Sequence, residues 1–249
     1  MKNSLSLWHQ SLLASTLVAM LPCQAADDKL FDFDANLALT TDFVMRGLSY
    51  TNEEPAFNGG FEIEHESGIY VKNWASNVNL LEGDTVEPDE RANLFIGWYA
   101  GYNGDFSDNL NYDIQAAYNT FPGAAKDLNY DFTEFTGALT YSIQDTNLGL
   151  LYAFSPDYLR KSDKAHYYEL NASHTFVNAN DLGIGGRIGR QTIKDNKTIG
   201  FDDFTNYGVW IFYPIGDFTG TLQYTNTDLE NADDVNADGR VFFTLSHIF

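Results

Sequence analysis

The sequence predicts an all-β fold: a transmembrane antiparallel β-barrel of about twelve strands, with short periplasmic turns and longer outer loops. Three observations predict it. Residues 31–43 alternate without a break, placing Phe31, Phe33, Leu37, Leu39 and Phe43 on one side and Asp32, Asp34, Asn36 and Asp42 on the other. Successive side chains of a strand face opposite ways, so this run has one apolar and one acidic face. The connections between such runs then alternate long and short to the end of the chain, a parity that outer-membrane barrels show and a soluble sandwich has no reason to keep. Finally, a formal charge of -21 coexists with 19 Phe, 15 Tyr and 4 Trp. A disordered acidic chain has few aromatics; acid and aromatic surfaces held apart on opposite faces of a barrel accommodate both.

The first strand, at roughly 3.4 Å per residue, is long enough to cross a bilayer at a tilt. Strands two and three span residues 57–66 and 69–78 about a Ser67-Gly68 turn. The fourth, 92–102, places Leu94, Ile96, Trp98, Ala100 and Tyr102 on one face, and the fifth, 110–120, sets Ile114 and Tyr118 against Asp113, Gln115 and Asn119. The remaining strands are read at 130–141, 147–154, 165–176, 182–193, 205–213, 218–225 and 240–249. Long polar loops fall at 45–55, 79–91, 121–129, 155–164, 194–204 and 226–239, and short turns at 67–68, 103–109, 142–146, 177–181 and 214–217. An even strand count returns the carboxyl end to the side where the amino end starts. Gly183, Gly185, Gly186 and Gly189 fall inside a strand, where glycine marks a bend or close packing.

The chain divides into a signal peptide, 1–25, and a barrel, 26–249. Lys2 supplies a thin positive region, residues 12–21 an apolar one, and Cys23-Gln24-Ala25 a small-residue cleavage site. Pro22 stands where lipid attachment at Cys23 wants a small residue. Cleavage after Ala25 leaves a chain without cysteine, which excludes disulfides and thiol chemistry. It also removes Lys2, leaving 13 basic against 35 acidic residues, a formal charge of -22. That balance excludes nucleic acid as a partner, since phosphates call for a basic patch. No later segment holds about 18 consecutive apolar residues, so a helical span is excluded as well. The last strand ends in Phe249, behind Val241, Phe243, Leu245 and His247 on one face. This pattern resembles the signal by which such barrels are handed to their assembly machinery, which with outer-membrane lipid and a small hydrophilic solute makes up the expected partners and places the chain in the bacterial outer membrane.

With the apolar faces toward lipid, the lumen carries Asp32, Asp34, Asp42, Glu62, Glu64, Asp113 and Glu169, with Arg187 and Arg240 as basic counterparts. A ring of carboxylates attracts cations. Barrels of about eight strands are filled by side chains and those of about sixteen hold an aqueous channel, so twelve falls between. The leading expectation is therefore a channel for small hydrophilic solutes, cationic or neutral. The alternative is a filled structural or adhesion barrel acting through its acidic outer loops, and the third reading is a lipid-modifying enzyme. No Gly-x-Ser-x-Gly elbow accompanies His65, His166, His174 or His247, no His pair has metal-ligand spacing, and no phosphate-cradling loop precedes a helix, so no catalytic residue, cofactor or metal is assigned. Residues 234–239 read Asp-x-Asn-x-Asp-Gly, the start of a calcium loop; its closing acid position is occupied by Leu245, which leaves at best a partial site.

One stretch is more specific. Thr41-Asp42-Phe43-Val44-Met45-Arg46-Gly47-Leu48-Ser49, then Pro55-Ala56-Phe57, Gly68-Ile69-Tyr70 and Trp74-Ala75-Ser76-Asn77, resembles the proteobacterial TorF-type putative porins. Met45, Lys72 and Asn73 depart mildly from the family pattern. The resemblance covers the first third of the chain and implies an outer-membrane barrel and a channel, with Arg46, Gly47, Ser49, Trp74, Ser76 and Asn77 as motif residues. From the residues alone, Gly47 permits a positive φ. Arg46 has two readings, an arginine pinned by the nearby Asp42, Glu53 and Glu54 or a selecting charge at the pore mouth. Trp74 is expected to pack in a girdle or in the lumen.

Overall fold

The computed structural model describes residues 30–80 and 86–249; the signal peptide and part of the 79–91 loop lie outside the described residues. Twelve strands close into an antiparallel barrel: β1 (Phe31–Thr40), β4 (Ala56–His65), β5 (Ile69–Asn77), β6 (Leu94–Ser107), β7 (Leu110–Thr120), β8 (Phe132–Ile143), β9 (Thr146–Ser155), β10 (Ala165–Phe176), β11 (Leu182–Ile193), β12 (Phe204–Ile215), β13 (Phe218–Thr227) and β14 (Arg240–Ile248). Two further pieces, β2 (Val44–Met45) and β3 (Leu48–Ser49), form a small hairpin apart from the ring. Each strand pairs with its neighbour in sequence, and β1 closes on β14 from Asn36↔Ile248 to Thr40↔Thr244. Closure leaves no open edge, the condition lipid imposes because unpaired backbone groups there cost several kcal/mol each. No helix among the described residues is long and apolar enough to cross a membrane.

The period-2 pattern positions the faces as the alternation requires. Leu37, Leu39, Ile63, Val71, Ile114, Leu150, Leu170, Ile188, Val209 and Leu222 project outward, all but Ile63 exposed. The opposite register buries Asn58, Ser76, Asp113, Gln115, Asn119, Gln191, Asn206 and Thr225 inside. Outward aromatics gather toward the turns, with Phe31, Phe33, Tyr141, Tyr213 and Phe218 near one rim and Trp98, Tyr118, Tyr152, Tyr168 and Tyr207 nearer the other. This is the paired girdle of a membrane barrel.

Three elements differ from the sequence expectation. The first strand ends at Thr40, and residues 41–43 bend inward, so Phe43 is buried at 4 % exposure instead of facing lipid. The expected 103–109 turn shrinks because β6 runs on to Ser107 through a register shift between Asp105 and Ser107. Polar residues beyond the bilayer carry no alternation signal, yet their backbone groups still pair with β7. The 45–55 segment, expected as a polar outer loop, enters the barrel as the β2–β3 hairpin.

The glycines of β11 mark close packing. A Cβ on Gly189 would collide with the phenol of Tyr167, on Gly185 with the indole of Trp210, and on Gly183 with the ring of Phe212. These aromatics lie flat across the backbone of β11 and fill the lumen wall. Leu222, outward near the middle of β13, and Phe218, at its rim, define a depth test. Leu222→Arg should destabilise the barrel by about 2–4 kcal/mol and Phe218→Arg by about 0–1 kcal/mol, measured as denaturant midpoints in lipid vesicles.

Candidate functional site

The site is the hairpin inside the barrel. Arg46 and Gly47 both have positive φ (53° and 89°), the pattern of a two-residue type I′ turn, which twists with its flanking strands. An arginine at positive φ is uncommon and costs of order 1 kcal/mol, so the position of its guanidinium has to compensate. Arg46 Nη2 donates to Glu134 Oε1 at 2.8 Å and Nη1 to Gln191 Oε1 at 3.1 Å, while the guanidinium carbon stands 4.2 Å from the centre of the Tyr167 ring. Glu134 on β8 and Tyr167 on β10 each stand five strands from β1 around the ring of twelve. The hairpin therefore crosses the lumen. Gly47 abuts the β12–β13 wall, where a Cβ would lie 2.6 Å from Thr227 Cγ2 and 3.0 Å from Asn206 Cβ.

A polar network holds the hairpin root. Asp42 accepts from Ser49 Oγ at 2.5 Å and Thr51 Oγ1 at 2.8 Å, and pairs with Arg240 at 3.3 Å. Arg240 also meets Glu53 at 3.6 Å and the Asp238 carboxylate. Ser49 N donates to Asn236 O at 2.8 Å, joining the hairpin to the β13–β14 loop, and Asn236 Nδ2 donates to Asn52 Oδ1 at 3.0 Å. In the calcium-like 234–239 segment Asp238 is engaged by Arg240 and the Asn236 amide nitrogen by Asn52, and no group of three or more His, Cys, Asp or Glu side chains that could hold a metal occurs among the described residues.

Around the hairpin, Phe43, Tyr50, Trp74, Phe95, Phe121, Tyr130, Phe132 and Tyr158 form an apolar cluster within the outer end of the barrel. Trp74 stands 5.0 Å from Phe43, ring centre to ring centre, which makes it a lumen packing residue. Burial pushes the phenols of Tyr50 and Tyr158 up, so neither is charged near neutral pH. Ser76 is buried beside it, and Asn77 points outward, accepting from Phe57 N at 2.8 Å and donating to Pro55 O at 3.3 Å to close the top of the β4–β5 pair. At the exposed rim, hydrogen bonds from Lys194 and the Lys164 backbone hold the Asp163 carboxyl below the usual range, tying the β9–β10 and β11–β12 loops together.

Below the hairpin the lumen is polar and mostly acidic. Asp32 lies opposite Glu64 and Asp34 opposite Glu62 on adjoining strands, with Lys72 3.7 Å from Glu62 and Asn103 Nδ2 2.8 Å from Glu64. Like charges directly opposite one another weaken a sheet, so this clustering opposes stability. Asp113 accepts from Tyr70 Oη at 2.9 Å, and Glu169 from Tyr167 Oη at 2.7 Å and Asn171 Nδ2 at 3.1 Å. Arg187 shares the inward face of β11. Of the residues singled out from sequence, Asp32, Asp34, Glu62, Glu64, Asp113, Glu169 and Arg187 thus lie along the inner wall, whereas Asp42 and Arg240 belong to the hairpin root.

Arg46 corrects an expectation. It does not pair with Asp42, Glu53 or Glu54, because its loop folds inward and carries it away from them; Arg240 takes Asp42 and Glu53 instead. The actual partners, Glu134, Gln191 and Tyr167, were not identified from sequence. Inward parity on their strands was the available signal, but it does not say which strand a loop will reach.

A closed antiparallel ring with a loop folded across its lumen defines the class, a porin-like membrane β-barrel, and such a fold implies a bacterial outer-membrane location. The chain belongs to the Gcw_chp family, described as bacterial proteins of unknown function, whose model matches residues 24–247. A search of curated proteins finds no match. Solved structures of like fold include a KdgM porin, with a TM-score of 0.58 and 8% identity over 87% of this chain and 98% of that one, and a NanC porin, with 0.55, 10%, 87% and 98%. At these identities the likeness is one of fold.

Removing one partner of a buried pair strands the other. Arg46→Ala should cost about 3–5 kcal/mol in equilibrium unfolding, and adding Glu134→Ala should recover part of that loss.

Proposed function

We propose that the protein is a TorF-type outer-membrane porin, a non-enzymatic channel for small hydrophilic solutes that leans toward cations and neutral molecules. The observation that carries the reading is the inward hairpin above an acidic lumen. A fixed finger with Arg46 at its tip narrows the passage at the outer half, and Asp32, Asp34, Glu62, Glu64 and Asp113 give the inner half a field that raises local cation concentration. The structures of like fold are described as porins, which supports the same reading.

The apolar cluster within the outer end favours a second reading, a filled barrel that acts through its outer loops. The two separate in planar-bilayer recordings of the refolded protein under a salt gradient. The channel reading expects discrete steps with a cation-selective reversal potential. Neutralising Asp34, Glu62 and Glu64 to Asn and Gln should move that potential toward zero. Shortening the 44–49 hairpin should raise unit conductance. A correctly folded wild-type barrel that stays silent, and conducts only when the hairpin is shortened, would establish the filled reading; anion selectivity in the wild type would overturn the charge argument.

A further inference from the structure

The positive charge of this acidic chain is gathered on one side of the outer rim. Of its 14 Lys and Arg, six fall between residues 160 and 197: Arg160, Lys161, Lys164, Arg190, Lys194 and Lys197. All of them are exposed. The β13–β14 loop, by contrast, carries Asp228, Glu230, Asp233, Asp234 and Asp238 and no base. The fold draws the six together. β10 and β11 pair Tyr168↔Arg190 and Ala165↔Ile193, and the pairing runs on past the strands, where Lys194 N donates to Lys164 O at 2.9 Å and Asp195 N to Ser162 O at 3.0 Å. Lys164 and Lys194 therefore stand directly opposite one another. Beyond them a short helix, α1 (Asn196–Ile199), brings Lys197 against the turn Leu159–Lys161, and Arg160 Nη1 donates to Ile199 O at 3.4 Å.

Period-2 parity sets the direction of these side chains. Arg190 shares the outward face of β11 with Ile184 and Ile188, and Lys194 continues that parity; Lys164 continues the parity of Tyr168 and Leu170 on β10. Arg190 lies within the outer aromatic girdle, opposite Tyr168, which is itself opposite Tyr152. Lys194 follows about 13 Å farther along the strand, at roughly 3.3 Å per residue. The bases thus begin at the lipid boundary and climb through the head-group layer, where Lys and Arg lay their stems on apolar surface and lift their charge toward water. The two loops also hold Asp157, Asp163, Asp195, Asp202 and Asp203. Three of these are turned onto the backbone: Asp163 accepts from Lys164 N at 2.8 Å, Asp195 from Thr198 N at 3.1 Å and Asp203 from Ile193 N at 2.8 Å. Asp163 also accepts from Lys194 Nζ at 2.6 Å, and Asp228 stands 3.6 Å from Arg190. Like charges directly opposite one another oppose strand pairing, and an anion shared by Lys164 and Lys194 would remove that cost.

We propose that this strip over β10 and β11 docks a phosphorylated lipid head group of the surrounding outer leaflet. The lipid-facing wall continues directly beneath it through Leu170 and Ile188, where acyl chains lie. A phosphate carries close to two negative charges and presents several acceptors to Lys and Arg at once. The length of the strip suits a head group bearing two phosphates, one between the opposed lysines and one at Arg190. The surface is on the outside of the barrel, so its occupancy does not depend on whether the lumen conducts.

The test uses the refolded full chain in neutral detergent, with three probes: lipid A carrying two phosphates, lipid A carrying one, and inorganic phosphate. Affinities are read by thermophoresis of the labelled protein. Diphosphoryl lipid A should bind about fivefold or more tighter than the monophosphoryl form, and its affinity should fall as salt rises. Lys164→Gln should weaken diphosphoryl lipid A by about fivefold, and Lys164→Gln with Arg190→Gln by about twenty-fivefold. Lys126→Gln makes the same charge change on an exposed residue of the β7–β8 loop and should leave binding unchanged. Folding of each variant is checked by the shift in gel migration between unboiled and boiled samples. Equal affinity for the two lipids, displacement by inorganic phosphate at constant ionic strength, or unchanged binding in the folded double variant would overturn the proposal, as would a loss in Lys126→Gln equal to that in Lys164→Gln.

Discussion

Closure of the sheet is the constraint on which the rest of this structure depends. Lipid offers no hydrogen bonds, so β1 must find β14, and it does so through Asn36 to Thr40 against Thr244 to Ile248. Once the ring closes at twelve strands, the inward faces no longer reach across to fill the interior as they do in a smaller barrel. Something else must occupy that space or leave it to water. Here a segment of the chain itself does so in the outer half, while the inner half keeps a polar lining.

The inward hairpin follows from a few local choices that agree with one another. The bend after Thr40 turns Phe43 away from lipid and onto Trp74 and Phe95. Asp42 gathers Ser49, Thr51 and Arg240, which fixes the root. The Arg46-Gly47 turn then projects one charge to Glu134 and Gln191 on the far wall, and the bare Gly47 lets the tip seat against Thr227 and Asn206. The motif residues Arg46, Gly47, Ser49 and Trp74 thus belong to one device. A buried ion pair is weak evidence for stability but good evidence for a fixed register, and Arg46–Glu134 fixes where the finger points.

Two regions result. The inner lumen concentrates carboxylates on β1 and β4 at a cost in sheet stability, whereas the outer half is closed around the hairpin by an apolar and aromatic cluster. A net charge of -21 describes neither region. The distinction between them depends on the hairpin, which separates one from the other.

The sequence by itself determined the strands, their inward and outward faces, the parity of turns and loops, and the acidic inner wall. All of these are period-2 or composition signals that a single strand carries without knowing its neighbours. Strand limits at 110–120, 165–176 and 182–193 were legible to the residue for that reason. The inward course of the 45–55 segment was not legible, because a polar loop with a Gly turn reads the same whether it faces solvent or a lumen. Nor were the partners of Arg46, since Glu134 and Gln191 lie 88 and 145 residues away and meet it only when the ring has closed. The tertiary structure alone decided those contacts: they are set by the diameter of a twelve-stranded barrel and the reach of one side chain across it.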